Sequence, residues 1–169
     1  GRQGGRGGAG ALARGGAYGG VVGVGPGRRP ADLLDLAPAA LGVPGAMFTA
    51  SHNPAQYNGI KMCRAGAAPV GQDTGLSTIR ELAEEWLESG APGPAAETGT
   101  ITRRDTLSDY AAHLRSLVDL TSIRPLKVVV DAGNGMGGHT VPTVFAGLPL
   151  TLVPMYFELD GTFPNHEAN

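Results

Sequence analysis

A serine, a histidine and an asparagine stand side by side at Ser51-His52-Asn53, followed by Pro54 and, a short way on, by Tyr57-Asn58-Gly59-Ile60-Lys61. A serine hydroxyl can accept and release a phosphoryl group, an imidazole can move a proton near neutral pH, and a lysine supplies a fixed positive charge. Asn53-Pro54 enforces a turn, because proline fixes its own φ and pushes the residue before it out of the helical region. On local chemistry alone, an ordinary turn serine is the better reading.

The elements around this segment must hold it. The apolar run before Ser51 predicts a strand over Ala46 to Thr49, and Gly59 to Cys63 reads as a second, with Ile60 and Met62 on one face. Upstream, Val21 to Val24 suggests a short strand, and Asp32 to Leu41 a weak helix interrupted by Pro38. The clearest helix runs from Thr74 to Ser89, with Ile79, Leu82, Ala83, Trp86 and Leu87 along one face, which makes Trp86 a core residue. Thr78 with Glu81 suits a capping box, Asp73 or Thr74 suits an earlier cap, and Gly90 ends the helix. A loop follows over residues 90–104, then a helix from Thr106 to Leu120 with Leu107, Tyr110, Leu114, Leu117 and Val118 facing inward. Leu126 to Val130 has too few polar positions for a water-facing strand and reads as a buried one. Strands covered by helices make an α/β chain, with a domain boundary near residue 122.

Composition narrows the function. The chain has 169 residues, a net charge of −2 and only 17% charged residues, which argues against a nucleic-acid surface. No apolar stretch reaches the roughly 20 residues a membrane span needs, so no membrane partner is expected and the location reads as cytoplasmic. Cys63 is the single cysteine, which excludes an intrachain disulfide and suggests a small buried hydrophobe. Residues 1–30 hold 13 of the 28 glycines and read as an ill-defined Gly/Arg-rich leader. Their one aromatic residue, Tyr18, leaves little on which to stack bases.

A competing motif follows the strand at residues 126–130. Gly133, Gly135 and Gly138 satisfy G-x-G-x-x-G, with Glu158 further on in the place of a ribose-binding acid. This would make the chain part of a dinucleotide-binding oxidoreductase. Pro142 and the Gly147-Leu148-Pro149 break leave a short crossover helix, which weakens that reading.

The segment Thr49-Ala50-Ser51-His52-Asn53-Pro54, with Tyr57-Asn58-Gly59-Ile60-Lys61, resembles the phosphoserine loop of the α-D-phosphohexomutases, the phosphomannomutase/phosphoglucomutase family. A second block looks like the start of that family's second domain: Lys127-Val128-Val129-Val130-Asp131-Ala132-Gly133-Asn134-Gly135, then Asp160-Gly161-Thr162-Phe163-Pro164-Asn165-His166. The resemblance covers roughly Leu33 to Asn169 and turns the glycine motif into a structural turn. It implies a three-layer α/β/α domain with a mixed sheet over residues 31–122 and the start of a similar, truncated domain over residues 123–169. It also implies interconversion of hexose 6-phosphate and hexose 1-phosphate through a phosphoserine and a hexose 1,6-bisphosphate.

In that scheme Ser51 is nucleophile, phosphoryl carrier and, through its phosphate, a ligand of Mg2+. Lys61 neutralises charge or assists proton transfer, His52 is an acid/base candidate and Asn53 shapes the loop. Apart from that scheme, His166 reads as an interdomain structural histidine, with substrate contact as the alternative, His113 as a surface or boundary one, and Arg64 and Arg80 as solvated charges. The family's aspartate-rich metal loop, its third-domain sugar loop, its fourth-domain phosphate loop and its amino-terminal arginine motif are not recognisable in the 169 residues. The chain is therefore expected to be a catalytically incompetent part of a mutase, with a non-catalytic remnant as a further alternative.

Overall fold

The computed structural model describes residues 23–24, 33–49, 53, 56–91, 93, 101–102 and 104–167. In chain order the elements are β1 (Gly23–Val24), α1 (Leu33–Leu41), β2 (Gly45–Phe48), β3 (Ile60–Cys63), α2 (Leu76–Ser89), β4 (Ile101–Thr102), α3 (Leu107–Ser116), β5 (Leu126–Asp131), α4 (Gly137–Phe145) and β6 (Leu150–Met155). Short 3-10 turns occupy Ala65–Ala67 and Gln72–Thr74. The class is α/β, as expected, and strand directions are mixed. β1 with β4 and β5 with β6 are parallel, whereas β2 with β3 is antiparallel. Among the described residues these form three two-stranded sheets. No helix among them is long and apolar enough to cross a membrane.

α1 runs through Pro38 instead of breaking there. It packs on β2 and on the Ala65–Ala67 turn, and that packing offsets the hydrogen bond the ring removes. Gly42 then takes a left-handed φ of 64°, and the Val43 N–H donates to the Pro38 carbonyl at 3.1 Å. This six-residue closure is a Schellman ending, which satisfies a carbonyl the helix would otherwise leave open.

α2 starts at Leu76, later than the sequence pattern suggests. The Thr74 hydroxyl is engaged one turn earlier, accepting the Gly71 N–H at 2.7 Å and shaping the 3-10 turn. Thr78 and Glu81 therefore lie inside the helix, not at its cap. Gly90 ends it, with φ 90° and its N–H on the Trp86 carbonyl. The apolar stripe forms as a stripe, but Ile79, Leu82 and Trp86 are each more than 40% exposed and Leu87 is 87% exposed. Trp86 is thus not a core residue here, because the chief described contact of α2 is the small 3-10 turn before it.

α3 also differs from its sequence reading, ending at Ser116 instead of Leu120. The Ser116 hydroxyl donates to the His113 carbonyl, and Asp119 takes both the N–H and the hydroxyl of Thr121 into a local turn. Leu117 and Val118 fall beyond the helix and are exposed, since the helical period that would aim them inward has stopped. Tyr110 and Ala111 are buried, as is the Cys63 thiol on β3.

α3 packs on α4, and Arg115 ties the two together. Its guanidinium donates to the carbonyls of Val144 (2.8 Å), Thr143 (2.9 Å) and Ala146 (2.6 Å) at the end of α4. β5 and β6 pair in register from Leu126 with Leu150 to Asp131 with Met155, with α4 as the crossover a parallel pair requires. β5 is not the doubly buried strand its composition suggests. It has one partner strand among the described residues, and Val129 stays 60% exposed.

Candidate active site

The segment singled out by its chemistry lies between β2 and β3 in chain order. Met47 pairs with Lys61 and Phe48 with Ile60, and the Thr49 N–H then donates to the Gly59 carbonyl at 3.0 Å. That bond is the last described one of the ladder, and residues 50–58 join the two strands in sequence. Gly59 is required at this closure, because a Cβ there would stand 2.7 Å from the Thr49 carbonyl oxygen. Of the residues chosen from the sequence, Asn53 is exposed in that joining segment and Lys61 is exposed on β3. Ser51 and His52 lie outside the described residues.

A second polar centre lies where β5 meets α4. His166 sets Nε2 3.0 Å from both carboxylate oxygens of Asp131 and Nδ1 2.9 Å from the Glu167 carbonyl. Both ring nitrogens thus face acceptors, a setting that suits the doubly protonated imidazolium. The Glu167 carbonyl, then the Asp131 hydrogen bond and charge, raise the His166 pKa above its ordinary value. The bond from His166, followed by the Gly133 N–H, lowers that of Asp131. Tyr156 meets the imidazole edge-on at 5.6 Å. His166 consequently ties β5 to the loop after β6.

Asn134 is buried beside this pair. Its Nδ2 donates to the Glu158 carbonyl at 2.9 Å, and its Oδ1 accepts from Asn165 Nδ2 at 2.7 Å. Its backbone N–H donates to the Tyr156 carbonyl, and its carbonyl accepts from the Asp160 N–H. The loop after β6 is thereby stitched onto the glycine turn. A Cβ on Gly138 would collide with the Phe157 carbonyl, and one on Gly133 would lie 2.9 Å from the His166 ring. The glycines make room for the chain's own backbone and imidazole, so the turn is filled from within and the dinucleotide reading loses its cradle.

Asp131, Asn134, Asn165 and Arg115 were not singled out from the sequence. For Asp131 a signal existed, a glycine two residues on whose N–H returns to the carboxylate at 2.8 Å. Arg80 makes a solvated pair with Glu84, and His113 and Arg64 are exposed. A pocket between α1 and the start of α3, lined by Leu36, Ala40, Leu41 and Thr106 among others, includes none of the chosen residues. Among the described residues no group of three or more His, Cys, Asp or Glu could hold a metal ion.

Two family models match the chain. The model of phosphoglucomutase/phosphomannomutase alpha/beta/alpha domain I covers residues 1–89, and that of domain II covers residues 108–169. The chain belongs to the phosphoglucomutase/phosphomannomutase family. The first match takes in the glycine-rich residues 1–30, and the second begins within α3, the helix that Arg115 fastens to α4. A phosphomannomutase of Escherichia coli is 43% identical over 136 residues, which are 76% of this chain and 29% of that protein. Phosphohexose mutases of Xanthomonas campestris pv. campestris are 43% identical over 126 residues, 74% of this chain and 27% of theirs. A crystal structure of a phosphoglucomutase/phosphomannomutase family protein from Burkholderia thailandensis superposes with a TM-score of 0.66 at 33% identity, over 94% of this chain and 34% of that one. The chain thus spans about a third or less of the length of these relatives.

Proposed function

We propose that this chain is the phosphoserine-bearing part of a hexose-phosphate mutase, with Ser51 as the group that carries phosphate between the two ends of the sugar. The observation that supports the reading is the antiparallel pairing of β2 with β3, the strands on either side of residues 50–58, with Lys61 on β3, in a chain of this family. In the forward step the bond from phosphorus to the Ser51 oxygen breaks and one to a sugar hydroxyl oxygen forms. The hydroxyl proton passes to a base, for which His52 is the candidate. The resulting hexose 1,6-bisphosphate turns end for end, and Ser51 takes back the other phosphate by the reverse chemistry.

A phosphoserine brings about −1.5 to −2 charges, so a nearby cation is needed, and Lys61 serves that role. Asn53 shapes the turn. Mg2+ belongs to this reading as a further neutralising charge at the serine phosphate. The described residues gather no group of three His, Cys, Asp or Glu side chains to complete its shell. The reading places the protein with its charged sugar substrate in the cytoplasm.

The single chain is expected to accept phosphate without turning over, since two thirds or more of the relatives' length lies outside it. Incubation with glucose or mannose 1,6-bisphosphate should add one phosphate by intact mass, and Ser51→Ala should abolish the addition. Phosphate on another residue would overturn the assignment of Ser51. Mutase turnover by the isolated chain would overturn its incompetence.

A further inference from the structure

The sequence contains the dipeptide Asn-Gly twice, at Asn58-Gly59 and at Asn134-Gly135, and the fold treats the two in opposite ways. We propose that Asn58 is a site of spontaneous deamidation and backbone isomerisation, whereas Asn134 is protected by the fold. The reaction begins when the amide nitrogen of the following glycine attacks the asparagine side-chain carbonyl carbon. That nitrogen gives its proton to solvent base, and the side-chain nitrogen takes up a proton and leaves as ammonia. A five-membered imide closes, and water opens it at either carbonyl to give an aspartate or an isoaspartate at that position. Glycine in the second place is the most permissive neighbour, because it has no Cβ to obstruct the approach and its backbone rotates freely.

At position 134 every group the reaction needs is held. The side chain is 5% exposed, its Nδ2 is bound to the Glu158 carbonyl, and its Oδ1 is bound by Asn165. The attacking nitrogen, Gly135 N, donates to the Ala132 carbonyl at 2.7 Å. At position 58 the side chain is exposed, and it makes no hydrogen bond among the described residues. Gly59 uses its carbonyl, not its N–H, to close the hairpin with Thr49. The close approach of the Thr49 carbonyl that demands glycine at 59 therefore also leaves Asn58 with its most reactive neighbour. An isoaspartate there inserts a methylene into the main chain beside the ladder's closing bond and adds a negative charge ahead of Lys61.

The test is incubation of the whole chain at mildly alkaline pH, in native buffer and in urea. The products are read by peptide mass and fragmentation and by enzymatic methylation of isoaspartate. In urea both sites should convert at similar rates. In native buffer Asn58 should convert at least about thirtyfold faster than Asn134, the factor for breaking two of the three hydrogen bonds at Asn134. Asn58→Gln should remove the native product. Equal native rates at the two sites, or a native Asn58 that stays intact while the urea sample converts, would overturn the proposal.

Discussion

Arg115→Ala should be among the most damaging single changes outside the hairpin, and its cost can be worked from the geometry. The guanidinium makes three hydrogen bonds of 2.6–2.9 Å to the carbonyls of Thr143, Val144 and Ala146, two of them part-buried and one exposed. A hydrogen bond from a charged donor contributes about 1.5–3 kcal/mol, with exposed ones at or below the bottom of that range. Two part-buried bonds near the lower value, with a smaller share from the exposed bond and from the charge at a helix carboxyl end, give about 3–4 kcal/mol. In a chain of this length that corresponds to a melting temperature lower by roughly 6–16 °C. Arg115→Lys should recover less than half, because an ammonium lacks the flat fork that reaches three carbonyls at once. Urea denaturation with both variants measures these losses, and amide exchange in the last turn of α4 reports the clamp directly. Losses below about 0.5 kcal/mol in Arg115→Ala, the range of ordinary surface substitutions, would show that α3 and α4 are held by apolar packing alone and that the clamp reasoning is wrong.

Two further predictions concern the Asp131–His166 tie and the glycines at positions 138 and 42. The Asp131–His166 tie should stabilise the fold within a bounded pH range. His166 has its pKa raised, so its contribution is complete below the ordinary 6.5 and is lost as pH rises through the higher folded value. Asp131 has its pKa lowered, so its contribution is complete above the ordinary 3.8 and is lost as pH falls through the lower folded value. The tie is thus strongest between those two ordinary values. An NMR titration of His166 should give a midpoint above 6.5 that falls back in Asp131→Asn, and an unchanged midpoint in that variant would refute the assignment. Gly138→Ala should cost about 3 kcal/mol or more, since its methyl meets the Phe157 backbone. Gly42→Ala has open space around it and should lose only about 1–2 kcal/mol to its positive φ. Equal melting temperatures for the two variants would contradict this ordering.

Local pattern carried most of the elements. β2 and β3 were legible because their apolar runs flank an Asn-Pro pair, and α2 because Ile79, Leu82 and Trp86 follow the helical period. What that period could not convey was a partner, so Trp86 was expected in a core and is found half exposed. Leu117 and Val118 were misread for a related reason, because the period continues in the sequence after side-chain hydrogen bonds at Ser116 and Asp119 have ended the helix. The spacing of Asn53 and Lys61 conveyed that one precedes β3 and the other lies on it, and no more than that. The links from Asp131 to His166 and from Asn134 to Asn165 join residues more than thirty positions apart, a separation no local window can see. Arg115 was missed for the same reason, since its partners are backbone carbonyls and leave no mark in residue type.

The hairpin closure at Thr49 and Gly59 also bears on the order in which the chain acquires its shape. β2 and β3 are joined by residues 50–58 alone, so their pairing is a local event of the microsecond kind typical of hairpins. β1 and β4 pair Gly23 with Ile101, and that contact must wait for a far longer stretch of chain to close on itself. β2 and β3 can thus pair during folding before β1 and β4 have met. Because closure entropy grows only logarithmically with length, at about 0.6 kcal/mol per doubling, insertions among residues 50–58 would slow that event only slightly.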